Sequence, residues 1–411
     1  MEGLLHNHAD NGNFEELKRL IDEQINSKDQ DQRTLLHKAS EQGNLMAVQY
    51  LIQVGAQLEA KDRNGNTPLL LATTYEVTAC LIQNGAQVNV SDINGQTPLH
   101  LSYTYEITAL LIQNGAQVNA IDVYGRTPLH LTDIYEIAAY LIQNGAQVNA
   151  IDEEGKTPLH LADTTEIIEY LIRNGAQVNA IDEDGKTPLH LTQSSEIATC
   201  LIQNGAQVNA IDEEGNTPLH LAQTSEIATC LIQNGAQVAA RREYGVGTPL
   251  HAAAFSNNVD VIRCLLFYIP IDAKCHSKWT YDFGWTPLHF SAINGSLDAA
   301  KYLVEHGAQI NARTDKNETS FDLANQHGFV QVAKYLLEMK KESESQNPQE
   351  NASNKDLCII CQTPKNGFYV LNPCGHANLC EPCCFTLNNE NTNGKCPSCR
   401  MPISGYQKIF F

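Results

Sequence analysis

A sequence repeat with a period of about 30 residues dominates residues 1–340 of this chain and limits what it can fold into. TPLHL, or a close relative, begins at six evenly spaced positions, Thr67, Thr97, Thr127, Thr157, Thr187 and Thr217. Copies with looser spacing begin at Thr34, Thr248, Thr286 and Thr319, and a degenerate copy, GLLHNHADNGNFEELKRLI, opens the chain, which makes about eleven units. Such a period indicates one supersecondary unit, repeated and stacked.

One unit reads TPLHLADTTEIIEYLIRNGAQVNAIDEDGK, from Thr157 to Lys186. Pro158 suits the first turn of a short helix, and Thr164 can cap a second helix that Gly175 ends. The remainder is typical of a loop or hairpin that ends in a turn at Asp184-Gly185. Neither helix can bury its apolar face alone, so the units must stack into a solenoid.

TPLH, the helix pair and NGAQVNA…D…G resemble the ankyrin repeat over residues 1–339. The resemblance implies a mainly α fold, an ankyrin-repeat solenoid of helix pairs with hairpin loops. Units of this family usually have about 33 residues, as from Thr34 to Asn66. The six middle units lack three residues between their helices. We therefore expect a shorter first helix or a tighter loop there, with an effect on the curvature of the groove.

Two further residue types recur once per repeat. The histidines are His100, His130, His160, His190 and His220, and the glutamates are Glu106, Glu136, Glu166, Glu196 and Glu226. Such series can suggest a metal or catalytic site, but like residues of stacked layers lie roughly 10 Å apart, too far to share a metal. We predict that the histidines satisfy backbone groups between repeats and that the glutamates lie at helix starts.

Charge and composition narrow the class of partner and the compartment. The formal net charge is −20, and because residues 356–411 sum to +1, residues 1–355 carry −21. Such a body repels nucleic-acid phosphates and favours basic protein partners or simply solubility. No signal peptide and no apolar run of membrane-spanning length is evident, which predicts a cytoplasmic or nuclear location. Thirteen cysteines in a reducing compartment indicate metal ligands or catalysis rather than disulfides.

Positions that vary between repeats are candidates for binding a protein substrate. The hairpin tip carries Glu183 and Asp184, whereas Tyr105 and Tyr135 precede the second helix in earlier repeats. We predict a partner surface with an aromatic half and an acidic half; the alternative is that these residues are simply solvated.

One unit, Thr248 to Trp285, is longer than the others and contains both tryptophans, Trp279 and Trp285. An exposed aromatic cluster would mark a contact site. An extended hairpin packed on its own aromatics explains the segment equally well.

The chain changes character after residue 339. Residues 340–356 are polar and aperiodic, which predicts a flexible linker. Residues 357–411 contain eight candidate metal ligands: Cys358, Cys361, Cys374, His376, Cys380, Cys383, Cys396 and Cys399. Eight ligands make two tetrahedral sites with no open position, the structural kind of zinc site. Cys384 is left over and could replace Cys383 as a ligand.

The order of three cysteines, one histidine and four cysteines resembles a RING finger, a small α+β domain with two structural Zn²⁺ ions. By this resemblance the sites interleave, with Cys374 and His376 sharing one zinc with Cys396 and Cys399. PCGHANLCEPC, CRMPI and the aromatic tail resemble the RINGs of inhibitor-of-apoptosis proteins, and TPKNG and CRMPI those of the double-minute ligases. The segment FTLNNENTNGK is longer than in most inhibitor-of-apoptosis members.

These RINGs are ubiquitin ligases that align the thioester of a charged conjugating enzyme for attack by a substrate lysine. By position, Ile360, Leu387 and Pro397 would contact the conjugating enzyme. Arg400 would bridge it to ubiquitin, since a guanidinium offers a fork of donors. The resemblance also implies a RING homodimer, in which Phe410 contacts ubiquitin on the other protomer beside Ile409 and Phe411. The alternative is a tail that packs on its own RING.

The combination predicts a RING-type ubiquitin ligase that captures a protein substrate through its repeats. A non-catalytic scaffold, whose RING is only a zinc-stabilised dimerisation module, is the alternative. The two differ at Ile360, Arg400 and Phe410. Neither reading involves nucleic acid or a membrane.

Overall fold

The computed structural model of the chain describes residues 24–241, 247–275 and 284–346, together with three strands between residues 368 and 409. The chain divides into two compact structural units, each of which contains several repeats. The first unit comprises Met1–Glu183 with Gln203–Ala206, and the second comprises Asp184–Ile202 with Gln207–Phe411.

Short helices follow one another along the described part of the chain. In order they are α1 Leu35–Glu41, α2 Leu45–Gln53, α3 Tyr75–Gln83, α4 Tyr105–Gln113, α5 Pro128–Leu131, α6 Tyr135–Gln143, α7 Pro158–Leu161, α8 Thr165–Arg173, α9 Ser195–Gln203, α10 Ser225–Gln233, α11 Pro249–Phe255, α12 Val259–Leu265, α13 Pro287–Ile293, α14 Leu297–Glu305, α15 Ser320–Gln326 and α16 Val330–Gln346. Two 3₁₀ helices, Pro188–Leu191 and Pro218–His220, occupy first-helix positions. Among the described helices, none has the length and apolar character that a membrane crossing requires.

First helices are shorter in the middle repeats than in the flanking ones. Those of the flanking repeats, α1, α11, α13 and α15, have seven residues each, whereas α5 and α7 have four. The repeats that begin at Thr67 and Thr97 have only a turn there. Three missing residues remove almost one turn of about 3.6 residues, and what remains closes through i→i+3 bonds. His190 N, for example, donates to Thr187 O at 2.9 Å. The predicted shortening is confirmed.

The second helix α8 begins at the predicted threonine cap. Thr164 Oγ1 accepts the backbone N–H of Ile167 at 3.4 Å, and Thr104 and Thr224 do the same in other repeats. Full-length repeats turn differently between their helices, through a left-handed residue such as Asn257 at φ 58°. Losing that turn is therefore what brings the threonine cap directly after the short first helix.

The hydrophobic core of both compact units is built from positions that recur from repeat to repeat. The leucine of TPLH is buried, as at Leu159, and so are the inward positions of the second helix, as at Ile168 and Leu171. Cys80, Cys200 and Cys230 lie buried on second helices as small apolar residues. Burial between layers is what makes such short helices stable.

Helix α16 overlaps the first residues of the range that the sequence predicts as a linker. It extends to Gln346, well into the range 340–356. Lysine and glutamate are good helix formers, so the polar run KKESES can continue a helix. Polarity alone did not distinguish a last helical turn from a coil.

Three short strands lie in the C-terminal region of the second unit: β1 Phe368–Asn372, β2 Ala377–Leu379 and β3 Gly405–Ile409. They form one antiparallel sheet in the order β2-β1-β3. β1 pairs with β3 from Phe368↔Ile409 to Asn372↔Gly405. The tail through Ile409 is therefore paired with β1 of its own chain.

Candidate functional site

The repeated histidines hold the start of the repeats that contain them. Thr127 N donates to His130 Nδ1 at 3.0 Å, and the Thr127 hydroxyl lies 2.9 Å from the same atom. Because a backbone N–H can only donate, Nδ1 is the acceptor and Nε2 carries the ring proton. His130 Nε2 then donates to Lys156 O, 3.1 Å away at the end of the next hairpin. One side chain thus joins two successive repeats.

Burial keeps these histidines neutral. It lowers the pKa of His37, His100 and His130 below the ordinary value, and it lowers the pKa of His251 and His289 to about 4. Within the described ranges, no group of three or more His, Cys, Asp or Glu side chains could hold a metal ion. The predicted structural role of the histidine series is confirmed.

The repeated glutamates lie in the first turn of the second helices, as predicted, and are exposed. Hydrogen bonds to their own backbone N–H and to the Ser194 and Thr224 hydroxyls lower the pKa of Glu196 and Glu226. Negative charge at this end of a helix is favourable, so the series needs no catalytic explanation.

Hydrogen bonds organise each hairpin tip and link it to the next. In the tip of Asp122, one carboxylate oxygen accepts the backbone N–H groups of Tyr124 and Arg126, both at 2.9 Å. Burial alone would raise the pKa of Asp122, but these bonds and the Arg126 guanidinium lower it. The backbone N–H of Glu153 in the next tip donates to Tyr124 O at 2.8 Å, and the same bond recurs from Glu183 N to Glu154 O. Successive tips are thus joined through their backbones.

The predicted acidic residues lie on these tips, and they differ in their partners. Asp184 pairs with Lys186 at 2.7 Å, and Glu154 pairs with Lys156 in the same way. Glu153 and Glu183 are exposed, and in the part of the chain that the structure describes no ion pair engages their carboxylates. Glu183 is therefore better placed than Asp184 to attract a basic partner.

The predicted tyrosines lie elsewhere in the repeat, at the first residue of a second helix. Tyr105 is 44% exposed and Tyr135 37% exposed. Each ring makes an edge contact with a tyrosine of the next repeat, Tyr105 with Tyr140 at 5.2 Å and Tyr135 with Tyr170 at 5.4 Å. Part of each ring thus serves packing between repeats, and the remainder is accessible.

Trp285 does not fit the predicted aromatic contact site. Its side chain is buried, and its ring packs edge-on against Phe290 at 5.5 Å, just before the start of α13. The packing alternative therefore describes Trp285, whereas Trp279 lies outside the described residues. Trp285 lies between Gly284 and the TPLH motif that opens α13, so its ring is next to the buried residues of that helix. The number of aromatic residues in this segment did not indicate that position.

A row of exposed isoleucines was not among the residues predicted from the sequence. Ile121, Ile151 and Ile181 of the first unit are 65, 67 and 65% exposed, and Ile211 of the second unit is 64% exposed. Each directly precedes the aspartate that organises a hairpin tip. Their exposure could have been predicted from two preceding repeats, which have Lys61 and Ser91 at the equivalent position. Lysine and serine are residue types that indicate a solvent-facing position.

The predicted zinc ligands and the residues Ile360, Leu387, Pro397, Arg400 and Phe410 lie outside the described residues. Seven thiolate sulfurs and one imidazole nitrogen are donors of the kind that zinc prefers, so this donor set fits zinc.

Family comparisons agree with both parts of the chain. The family model for ankyrin repeats (3 copies) matches six overlapping stretches, 5–92, 73–152, 132–212, 163–242, 192–276 and 250–347. The model for a zinc finger of C3HC4 type (RING finger) matches residues 354–406.

Individual relatives match only part of the chain. The protein named "Putative RING finger protein 413R" of invertebrate iridescent virus 6 is 40% identical over 80 residues, 18% of this chain and 36% of that protein. Alpha-latrocrustotoxin-Lt1a of Latrodectus tredecimguttatus is 36% identical over 78 residues, 19% of this chain and 5% of its own length. Human protein phosphatase 1 regulatory subunit 27 is 35% identical over 74 residues, 18% of this chain and 45% of that protein. The matches thus span less than half of each relative.

Among solved structures, the crystal structure of the ankyrin repeat domain of Bcl-3 is similar with a TM-score of 0.41 and 29% identity. The match covers 49% of this chain and 100% of that one.

Proposed function

Because the chain belongs to the ankyrin-repeat proteins and carries a C-terminal RING-type zinc finger, we propose that it is a RING ubiquitin ligase. The repeats capture a protein substrate, and the RING promotes transfer of ubiquitin from a charged conjugating enzyme to a substrate lysine. The observation that carries this proposal is the eight-ligand RING pattern with Ile360, Pro397 and Arg400 at the recognition positions of that family. Its compartment would be the cytoplasm, or the nucleus, where thiolate ligands stay reduced.

The RING has no nucleophile to contribute in this proposal. Two zinc ions, when bound, supply only folding energy and rigid geometry. Ile360, Leu387 and Pro397 provide an apolar contact for the conjugating enzyme. Arg400 donates hydrogen bonds to both the enzyme and ubiquitin, which restrains the thioester for attack, so that catalysis is positioning and polarisation.

The tail supplies a second contact in the same proposal. β3 lies at an edge of the three-stranded sheet, so its outer backbone groups are available for pairing. Phe410 follows directly, where an apolar residue of one protomer could contact ubiquitin on a partner. A homodimer through the RING would cover this apolar end.

Discharge of a charged conjugating enzyme onto free lysine tests the proposal. The full chain, loaded with zinc, is mixed with a panel of ubiquitin-charged conjugating enzymes, and loss of the thioester is followed in a single turnover. We expect acceleration of at least tenfold by wild type, loss with Ile360→Ala, and a marked reduction for a chain ending at Ile409. Lys365→Ala, a charge change in the same module away from these positions, is the matched control and should discharge normally.

The scaffold alternative makes the opposite prediction. A folded, zinc-loaded protein that dimerises but accelerates no member of the panel would be a structural RING. Equal activity of the shortened chain would remove only Phe410 from the mechanism, because Ile360 and Arg400 do not depend on it.

A further inference from the structure

We propose that Ile121, Ile151 and Ile181, hereafter the isoleucine ladder, form a docking site for a basic, amphipathic α-helix of a partner protein. This inference rests on the proposed function, because it names the class of segment that the repeats would capture. It concerns the first unit alone.

The ladder is an apolar feature that the fold itself does not require. About two thirds of each side chain is exposed, although the aspartates that follow Ile121 and Ile181 are buried. The equivalent residues of two preceding repeats are Lys61 and Ser91, so a repeat folds without an apolar side chain at this position. Covering three such side chains is worth about 25 cal/mol for each Å² of apolar area removed from water.

The ladder lies beside unneutralised negative charge. Glu153 and Glu183 follow Ile151 and Ile181 by two positions on the same tips, and both are exposed. Their carboxylates have no ion pair among the described residues, in contrast to Glu154, which pairs with Lys156. The chain as a whole carries −20. Lysine and arginine on the partner are the complement, and they would guide its approach and orientation.

The repeat spacing selects the conformation of that partner. Successive layers are roughly 10 Å apart. A β-strand does not present every third residue on one face, because its side chains alternate. A stretch of about seven residues of an α-helix rises about 10.5 Å and returns to nearly the same face. Polyproline II returns after about three residues and about 9.3 Å, so it is the competing geometry. A helix with one apolar residue in every seven fits a spacing of this order, and it is the occupant that we propose, with polyproline II as the alternative that the test excludes.

Three synthetic peptides of equal length, each about six helical turns if helical, test this geometry against the full-length protein. The first is a lysine- and alanine-based helix with leucine at every seventh position. The second has the same composition with its leucines on different faces. The third is a proline-rich segment with leucine at every third position. Binding of each labelled peptide is measured by fluorescence anisotropy, and equal charge in the first two separates docking from general attraction.

The expected result is at least tenfold tighter binding of the periodic helix than of the rearranged one. This preference should disappear in a triple variant with Ile121→Ser, Ile151→Ser and Ile181→Ser. Met46→Ser with Val330→Ser is the matched control, since these exposed apolar residues lie on helices away from the ladder. Equal binding of the first two peptides, a preference that survives the triple variant, or tighter binding of the proline-rich peptide would each overturn the proposal.

The charges are tested separately. Glu153→Gln with Glu183→Gln should weaken binding of the periodic peptide and reduce its salt dependence more than Glu136→Gln with Glu166→Gln, which removes the same charge from helix starts. Equal losses of binding in the two double variants would show that Glu153 and Glu183 make no specific contribution. No ubiquitin is present in this assay and Arg400→Ala should bind normally, so a failed docking test leaves the ligase proposal intact, and a failed discharge test leaves the ladder intact.

Discussion

The buried histidine of the TPLH motif serves two repeats at once. It accepts the N–H of the threonine that opens its own repeat, and it donates to a carbonyl at the end of the next hairpin, as in Thr127, His130 and Lys156. The TPLH motif and its period predicted this structural role. The sequence did not identify the carbonyl, because the partner is distant along the chain and is defined only by the stacking of repeats.

Replacing this histidine should destabilise the array. His130→Ala leaves the Thr127 N–H and the Lys156 carbonyl without partners in a buried place, which costs about 1–3 kcal/mol for each unsatisfied group. For the two groups together we expect a loss of about 2–6 kcal/mol in the free energy of unfolding, measured by urea denaturation. His327→Ala, at an exposed position, should change it by less than about 0.5 kcal/mol. Equal losses in the two variants would contradict this assignment.

The same histidines should make the repeats sensitive to acid. Burial lowers the pKa of His251 and His289 to about 4, whereas the ordinary value is 6.5. Between these values the unfolded chain binds protons that the folded chain excludes, so stability is full above pH 6.5 and falls as the pH drops toward 4. The urea midpoint should therefore be lower at pH 5 than at pH 7.5. A midpoint that is unchanged or higher at pH 5 would show that these histidines are not held neutral.

Among the elements, the hairpin tips join successive repeats through single backbone hydrogen bonds, and this depends on glycine. Gly155 has φ +74°, and a Cβ there would lie 2.8 Å from Glu183 N. The sequence predicted a turn at this position and a shortened first helix. It did not predict that the turn lies directly against the next tip, because contact between tips is a property of the stack and not of one repeat.

Two alanine substitutions separate strain from contact. Gly155→Ala meets both a left-handed backbone and the backbone of the next tip, whereas Gly175→Ala meets a left-handed backbone at φ +91° with open space around its Cβ. Both should destabilise by roughly 1 kcal/mol through the backbone alone, and Gly155→Ala by more. Urea denaturation of the pair measures the difference. A cost for Gly175→Ala that equals or exceeds that of Gly155→Ala would contradict the close approach of the tips.

Over the whole molecule, the chain combines a repeat array with a zinc module, and the two depend on different physical terms. The repeats bury apolar faces between layers, which their period predicted. The module depends on ligand spacing, and its order of cysteines and histidine predicted the match to the RING family. The sequence left the burial of Trp285 open between two alternatives and did not single out the isoleucine ladder, because exposure at one position depends on how neighbouring repeats pack around it.

Removing zinc should separate these two parts. A strong chelator should abolish ubiquitin discharge while leaving the far-ultraviolet circular dichroism of the helices nearly unchanged, since the described repeats contain no group of metal ligands. Restoring zinc to the chelated protein should recover discharge if the module refolds. A large loss of helical signal on chelation would mean that the array itself depends on the metal.

The most direct test of the ligase claim is the discharge rate of a saturating, ubiquitin-charged conjugating enzyme with Arg400→Ala and Arg400→Lys. Both variants should retain zinc and the repeat array, and both should discharge at least tenfold more slowly than wild type, because lysine lacks the planar fork that can bridge two partners. Discharge by wild type that is no faster than without the protein, or equal rates for all three chains, would contradict the proposed mechanism.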